Sequence, residues 1–343
     1  MALILGLESS CDDTAAALVT SDRRILAQSV VSQNDAHRPF GGVVPEIAAR
    51  AHVQILPDLI RRVLREAKVE IDEVDTIAAT AGPGLIGGVM VALLTAKGLA
   101  IAANKPLVAV NHLEGHALSP RLIDPDLEFP YLLLLVSGGH CQILEVLEVG
   151  SYRRLATTID DAAGEAFDKA AKLLGLPYPG GPGIEDLARS GSPEAVPLPR
   201  PLVGSPEPHF SFAGLKSAVQ RMVESGQFEP ADVAASFQQA IVDCLVDRTR
   251  LALERSDART LVVAGGVAAN QAIRSALEAL ASANGRNFRV PPAWLCTDNA
   301  AMIAWAGAER FERGMIDDLA APARARWPLD PDAEAVRGAG VKA

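Results

Sequence analysis

Short apolar runs and small polar turns alternate at the start of the chain, and stretches with helical periodicity follow them. Residues 2–7 form an apolar run that ends in a polar turn, and the apolar run at 15–19 comes directly after it. This pattern predicts a strand, a tight turn and a returning strand, and residues 24–31 can form a third strand. Pro45 opens a pattern whose apolar residues recur every three or four positions, which predicts a helix.

Strands that lead into helices complete this half, and the pattern then starts again. Residues 74–79 and 107–110 predict two strands, each followed by a helix. A further apolar run at 131–136 ends in the small-residue turn at 137–140, and a strand returns over 142–146. Because strand, turn and strand open both halves, the sequence predicts two related α/β domains.

The second half is rich in predicted helices. These helices cover residues 162–174, 215–224, 232–254, 270–283 and 300–313. A strand is predicted over 260–264, while residues 177–183 and 193–208 are typical of loops rich in proline and glycine.

We therefore expect two α/β domains, at 1–130 and 131–299, that face a ligand cleft. The helix at 300–314 can pack back on the first domain, and residues 315–343 are expected to form an irregular tail. In folds of this kind, ligands lie beyond the carboxyl ends of the strands.

Composition and charge narrow the classes of function. The 343 residues are 49% hydrophobic and 22% charged, as in well-packed globular proteins. The formal net charge of −10 argues against a free-standing nucleic-acid binder, because such proteins owe their affinity largely to neutralised phosphates. The four cysteines form no Cys-x-x-Cys pair, so neither a zinc ribbon nor a thioredoxin-like site is indicated.

The N-terminal residues lack the basic and apolar regions of a signal peptide. The most apolar long stretch, at 89–103, contains Lys97 and is too short to span a bilayer, so it predicts a buried helix. We therefore expect a cytoplasmic protein that is not inserted in a membrane.

His112 and His116 are the first candidates for chemistry. Histidines four apart on a helix share one face and can bind one metal ion. Leu113 stands where a zinc metalloprotease of the His-Glu-x-x-His type has its general base, which counts against that class. Asp298, which is expected at a strand end just before a helix, is the best candidate for a third, carboxylate ligand, although two purely structural histidines remain an alternative.

Small-residue turns at predicted strand ends form a second group of candidates. Ser137-Gly138-Gly139 and Gly265-Gly266 let the backbone approach a ligand closely, and consecutive N–H groups can hold phosphate oxygens. Gly180-Gly181 lies in a predicted loop that is either a rigid turn or a surface against a base. Asp168 could bind a ribose hydroxyl or a substrate amine, but taken alone it is better explained as part of a solvated helix start.

The ordered set of these motifs resembles the TsaD family, the bacterial tRNA N6-adenosine threonylcarbamoyltransferases that were once labelled O-sialoglycoprotein endopeptidases. The similarity is carried by residues 8–14, 41–46, 80–85, 112–116, 135–140, 160–172, 179–182, 210–216, 265–270 and 296–299. The resemblance implies an actin-like ATPase fold of the actin, sugar-kinase and Hsp70 class (ASKHA).

The resemblance also implies the site. One divalent metal ion, usually Fe2+ and sometimes Zn2+, would be held by His112, His116 and Asp298. The residues implied to bind the adenylate are Leu135, Val136, Ser137, Gly138, Gly139, Asp168, Gly181 and Asn270. Asn111 stands where some bacterial relatives have histidine, and this difference could alter the surroundings of the metal.

The implied reaction moves a threonylcarbamoyl group from threonylcarbamoyl-AMP to N6 of adenosine 37 in tRNAs that read ANN codons, forming t6A and AMP. Asp12 is a candidate proton acceptor, and Mg2+ could accompany the nucleotide. The resemblance implies TsaB and TsaE as partner proteins. Three alternatives remain at this point: a small-molecule kinase or ATPase of the same fold, a metallopeptidase, and a scaffold subunit that only binds nucleotide.

Overall fold

The computed structural model of the protein describes residues 1–40, 42–334 and 336, and the chain divides into two compact units. Unit 1 consists of Met1–Asp126 and Thr297–Leu329, and unit 2 consists of Leu127–Cys296 and the described residues from Asp330 onward. Gly41 of the motif at 41–46 and the last part of the predicted tail lie outside the described residues.

The described residues form ten strands and eleven α-helices. The strands are β1 Leu3–Glu8, β2 Asp13–Thr20, β3 Ile25–Ser32, β4 Thr76–Gly82, β5 Leu107–Asn111, β6 Tyr131–Val136, β7 Cys141–Glu148, β8 Ser151–Thr157, β9 Thr260–Ala264 and β10 Asn287–Arg289. The helices are α1 Asn34–His37, α2 Pro45–Ala67, α3 Ile86–Ala103, α4 His112–Ile123, α5 Ala163–Leu173, α6 Gly180–Ala188, α7 Ala213–Ser225, α8 Pro230–Glu254, α9 Gln271–Ala283, α10 Ala293–Cys296 and α11 Ala300–Glu312.

The two sheets repeat one topology. Unit 1 has the strand order β3-β2-β1-β4-β5, and unit 2 has the order β8-β7-β6-β9-β10. In each sheet the first three strands along the chain are antiparallel neighbours, while the last two run parallel to the first. This duplication confirms the prediction of two related α/β domains.

Helix α11 packs closely on the sheet of unit 1, and glycines make this possible. A Cβ atom added at Gly307 would lie 2.4 Å from the Cβ of Ala78, and one at Gly6 would lie 2.5 Å from the carbonyl oxygen of Ala300. A side chain at either position would force the helix away from the sheet. This packing fixes the residues just before α11, which include Asp298.

Helix α3 is long and apolar enough, by length and composition alone, to cross a membrane. One of its faces, which includes Val89, Leu93 and Ala96, is buried in the core of unit 1 with the sheet residues Leu5 and Ile77. The prediction of a buried helix is therefore correct for this face only, because 33% of the helix is buried and Ile86, Leu94 and Ile101 are exposed.

The sequence located most elements within two residues but missed five, among them the short helices α1 and α10. The short strand β10 and the strand β8 were not predicted. Helix α6 begins at Gly180, inside the segment 177–183 that was predicted to be a loop, so that prediction was wrong. Asp298 was expected at a strand end; it follows the short helix α10 instead and belongs to unit 1 rather than to the predicted range 131–299.

Candidate functional site

The side chains of His112, His116 and Asp298 converge within unit 1. The two histidines lie one turn apart on α4, with ring centroids 4.8 Å apart and planes nearly perpendicular at 89°. Oδ1 of Asp298 lies 3.4 Å from Nε2 of His112 and 3.1 Å from Nε2 of His116. One ligand atom from each residue therefore falls within 4.8 Å of the other two.

Asn111 and Asn299 fix the two helix starts that carry these residues. The side-chain oxygen of Asn111 accepts a hydrogen bond from Leu113 N at 2.9 Å and caps α4. The side-chain oxygen of Asn299 accepts one from Met302 N at 2.9 Å and caps α11. A capped helix start has a defined backbone geometry, so the side chains of His112 and Asp298 point in fixed directions.

Buried ion pairs hold α4 against α11. Nε of Arg121 donates to Glu309 at 2.7 Å, and Arg310 donates to Glu114 at 3.0 Å. Glu114 lies between the two histidines in sequence, but its carboxylate faces Arg310, which occupies it in an ion pair. Glu114 therefore holds the helix pair together and is not placed as the general base of a peptidase.

The electrostatics of the cluster favour a cation. Burial lowers the pKa of His112, but the charges of Asp298 and Glu8 outweigh burial and raise that pKa well above its usual value. Burial raises the pKa of Asp298, but His112 and His116 outweigh it and hold that pKa well below its usual value. Positive charge is therefore stabilised at this cluster. Its two imidazoles and one carboxylate form a donor set that fits a divalent transition-metal ion.

Asp12 and Asp13 lie at the turn into β2, and the sequence singled out only the first of them. Burial, together with the negative charges of Asp298 and Asp12, raises the pKa of Asp13 to about 7. A carboxyl group that titrates near neutral pH is able to accept a proton under cellular conditions. The sequence signal that could have identified it is the pair of adjacent acids after an apolar strand.

In unit 2, the turn Ser137-Gly138-Gly139 follows β6 and packs against the start of α5. A Cβ atom added at Gly164 would lie 2.7 Å from the carbonyl oxygen of Ser137 and 2.8 Å from Cα of Gly138. Added Cβ atoms at Gly138 and Gly139 would meet nothing within 4 Å, so the turn is open on its other side. Leu135 and Val136 precede this turn, and their side chains are fully buried in β6.

The Gly265-Gly266 turn lies beside the same strand end. Gly265 has a φ of 95°, and a Cβ atom there would lie 2.3 Å from the carbonyl oxygen of Val136. Since β6 and β9 are parallel neighbours, their carboxyl ends and both turns lie at one edge of the sheet. The structure thus brings together the two glycine turns and the N-terminus of α5, an arrangement that suits a phosphate group.

Asp168 and Asn270 have structural partners in unit 2. Oδ1 of Asp168 accepts a hydrogen bond from Gly180 N at 2.7 Å, which fixes the start of α6 and with it Gly181. The oxygen of Asn270 accepts from Ile273 N at 3.0 Å and caps α9, while its amide nitrogen donates to Gln238 at 2.8 Å. An added Cβ atom at Gly181 would meet nothing within 4 Å, so the backbone there is accessible to a ligand.

Known structures with the same fold share little sequence with this chain. HypF from T. kodakarensis superposes with a TM-score of 0.61 at 16% identity, over 91% of this chain and 48% of HypF. Component A of (R)-2-hydroxyglutaryl-CoA dehydratase from Acidaminococcus fermentans superposes with a TM-score of 0.55 at 17% identity, over 91% of this chain and all of that protein. These likenesses, with the duplicated sheet topology, show the expected actin-like ATPase fold.

Sequence comparison gives a much closer group. The profile of the family described as "TsaD: tRNA N6-adenosine threonylcarbamoyltransferase" matches residues 24–305. Two relatives are named tRNA N6-adenosine threonylcarbamoyltransferase. The protein from Sphingopyxis alaskensis is 72% identical to this chain and the one from Novosphingobium aromaticivorans is 67% identical, each over the whole length of both sequences. The chain therefore belongs to the TsaD family of tRNA N6-adenosine threonylcarbamoyltransferases.

Proposed function

We propose that this chain transfers the threonylcarbamoyl group of threonylcarbamoyl-AMP to N6 of adenosine 37 in tRNAs that read ANN codons. The observation that carries the proposal is the convergence of His112, His116 and Asp298 in a chain that is 72% identical to a protein named for this activity. A kinase or ATPase would leave the histidine pair unexplained. A peptidase would leave the glycine turns of unit 2 unexplained.

In this reaction the lone pair of N6 attacks the carbamoyl carbon, and a new C–N bond forms. The bond from that carbon to the phosphate oxygen breaks, and its electron pair leaves with AMP. N6 also loses one proton, for which we propose Asp12 as the acceptor. Asp13 beside it, with a pKa of about 7, supports a proton-accepting role for this turn.

The residues of unit 2 would bind the adenylate. The backbone at Ser137, Gly138 and Gly139 would hold the phosphate, supported by the start of α5. Asp168 would act by fixing the open backbone at Gly181, and Asn270 would place the start of α9 beside the nucleoside. Leu135 and Val136 would contribute through the position of their strand, since their side chains are buried. Holding the donor in one orientation lowers the barrier by several kcal/mol, on the order of 7–11 in ideal cases.

We propose Fe2+ as the resident ion of His112, His116 and Asp298, with Zn2+ as the second choice. Two imidazoles and one carboxylate are typical of non-haem iron sites that keep open positions. When bound, such an ion supplies a Lewis acid that polarises an oxygen of a ligand. Mg2+ is a further expected ion, which would accompany a nucleotide.

We propose that the protein works in the cytoplasm with TsaB and TsaE. The net charge of −10 supports a need for partners, because a polyanionic tRNA is repelled by an acidic protein. Partner surfaces that carry positive charge would then supply part of the tRNA-binding site.

Reconstitution tests the proposal. The chain is incubated with TsaB, TsaE, the adenylate-forming synthase, threonine, bicarbonate, ATP and unmodified tRNA, and the nucleosides are analysed by mass spectrometry. We expect t6A and one AMP for each transfer, and none when this chain or the synthase is left out. Consumption of ATP without t6A, or with a phosphorylated small molecule instead, would favour the kinase alternative.

A further inference from the structure

Glu8 is the last residue of β1, and its carboxylate is fully buried. It contacts His112 at the ring nitrogen that does not face Asp298. Its Oε2 lies 3.0 Å from Nδ1 of His112 and 2.5 Å from the hydroxyl oxygen of Thr80. Its Oε1 accepts a hydrogen bond from the backbone N–H of Ser10 at 2.5 Å. Each oxygen of this carboxylate therefore has at least one fixed neighbour.

We propose that Glu8 is a positioning residue that fixes the tautomer of His112 and so presents Nε2 of that ring to the metal. This inference rests on the metal site of the proposed function. It assigns a role to a residue that does not itself contact the ion.

The hydrogen bonds around Glu8 determine where the imidazole proton lies. A carboxylate accepts hydrogen bonds and has no proton to give, so Nδ1 of His112 must donate to Glu8. Oγ of Ser10 lies 3.1 Å from the same nitrogen, and a hydroxyl oxygen can accept from that N–H as well. A neutral ring that carries its one proton on Nδ1 has its lone pair on Nε2, and Nε2 is the atom that lies 3.4 Å from Asp298. Carboxylates that orient ligand histidines in this way also raise the basicity of the ring.

His116 lacks an arrangement of this kind. Its Nδ1 is buried and has no hydrogen-bond partner among the residues that the structure describes. Of the two rings, His112 is thus the one whose Nδ1 is held by a carboxylate. We expect the effect of Glu8 to pass through His112 alone.

The substitution Glu8→Gln reverses the proton arrangement with little change in shape. The N–H of Ser10 cannot rotate, so it keeps the amide oxygen of Gln on its side. The amide NH2 then faces His112 and Thr80, and the hydroxyl of Thr80 can rotate to accept from it. The NH2 donates to Nδ1 of His112, which moves the ring proton to Nε2 and blocks the ligand atom.

Two measurements test the inference. In histidine-labelled protein, 15N NMR should show a proton on Nδ1 of His112 in the metal-free and the Zn2+-loaded wild type, and on Nε2 in the neutral ring of metal-free Glu8→Gln. Titration with Co2+, followed by its visible absorption, should show about 10–100-fold weaker binding in Glu8→Gln. Thr80→Val, which removes one donor to Glu8 and keeps the side-chain volume, should weaken binding in the same direction by less.

Glu145→Gln is the matched control, because it removes the charge of another buried carboxylate, one on β7 of unit 2 that is paired with Arg153. It should leave Co2+ binding and the proton on Nδ1 of His112 unchanged.

Unchanged Co2+ affinity in Glu8→Gln, or in Thr80→Val if the first variant does not fold, would overturn the inference while t6A formation by the wild type stands. A wild type that binds no Co2+ would overturn both this inference and the proposed metal site.

Discussion

Oδ1 of Asp298 lies 3.1 Å from Nε2 of His116, although 182 positions separate the two residues in sequence. The contact forms because the chain returns to the first sheet with α11 after it has passed through Leu127–Cys296 of unit 2. The cluster is therefore assembled by the tertiary fold of unit 1 rather than by one local segment. Metal binding and the folding of unit 1 should consequently depend on each other.

The substitutions His112→Ala and Asp298→Asn should each abolish stoichiometric metal binding and t6A formation. Each removes one of three donor atoms, and two donors do not hold a divalent ion firmly. His112→Ala also leaves the buried Glu8 with one partner fewer, which costs about 1–3 kcal/mol of stability. Because folded domains have about 5–15 kcal/mol of stability, both variants should remain folded. Metal analysis of the purified proteins, circular dichroism and the transfer assay measure these outcomes.

Asp58→Asn serves as the control for these variants, since Asp58 lies exposed on α2 and pairs with Arg61 at the surface. It should keep both metal and activity, because surface ion pairs contribute about 0–1 kcal/mol. A His112→Ala protein that loses its metal and still transfers at the wild-type rate would show that the Lewis-acid role is wrong.

Gly164→Ala should weaken nucleotide binding. The added methyl group would lie 2.7 Å from the carbonyl oxygen of Ser137 and would push the turn away from α5. Overpacking of this kind costs about 1–3 kcal/mol of stability and moves the backbone that we expect to hold the phosphate. Calorimetric titration with AMP and thermal denaturation measure the two effects.

Gly98→Ala is the matched control, since Gly98 lies within α3 and an added Cβ atom meets nothing within 4 Å. It should stabilise the protein by about 1 kcal/mol, because alanine favours a helix interior over glycine, and leave AMP binding unchanged. If Gly164→Ala and the wild type bind AMP with equal affinity, the turn at 137–139 is not part of the nucleotide-binding site.

The sequence was sufficient to predict that His112, His116 and Asp298 lie together, because one part of this cluster is local. The spacing of His112 and His116 places two imidazoles on one helix face whatever surrounds the helix. Asp298 required more, because its position depends on how α11 packs on the sheet. It was chosen as the third ligand from a predicted strand end before a helix, and only the helix is present; the family resemblance implied the same three residues. Glu8 was missed because a buried carboxylate has no periodic signature in a sequence.

The errors in the fold have similar causes. The strand β8 alternates poorly, since Arg153 and Arg154 stand in its centre. The start of α6 is rich in glycine and proline, which normally indicate a loop, but Asp168 accepts a hydrogen bond from Gly180 and fixes the first turn. In both segments, tertiary contacts determine a structure that local preferences oppose.

The isolated chain should bind tRNA weakly, with a dissociation constant above about 10 µM at physiological salt. The reason is the net charge of −10, which repels a polyanion. Addition of TsaB and TsaE should strengthen binding and raise the magnitude of its salt dependence, because more phosphates are then neutralised. Fluorescence anisotropy with labelled tRNA over a range of salt concentrations measures both. Tight binding by the isolated chain at about 0.15 M salt would contradict the need for partners.

Asp13→Asn should stabilise the metal-free protein at pH 8 by about 1–3 kcal/mol. The pKa of Asp13 is raised from 3.8 to about 7 in the folded protein, chiefly by burial and by the charge of Asp298. Between these values the unfolded chain has released the proton while the folded chain still holds it. Stability of the wild type therefore falls as pH rises from about 4 to about 7. Asparagine carries no such charge, so the advantage of the variant should grow over that range and then level off.

Urea denaturation of both proteins at several pH values, in the presence of a chelator, tests this expectation. Asp247→Asn provides a comparison of opposite sign. Burial raises the pKa of Asp247, but its hydrogen bond with Arg248 outweighs burial and holds that pKa below its usual value. This variant should be less stable than the wild type at neutral pH, and the difference should vanish as the pH falls through the range where Asp247 takes up its proton. A stability difference between Asp13→Asn and the wild type that stays constant from pH 4 to 8 would show that Asp13 titrates alike in the folded and unfolded chain.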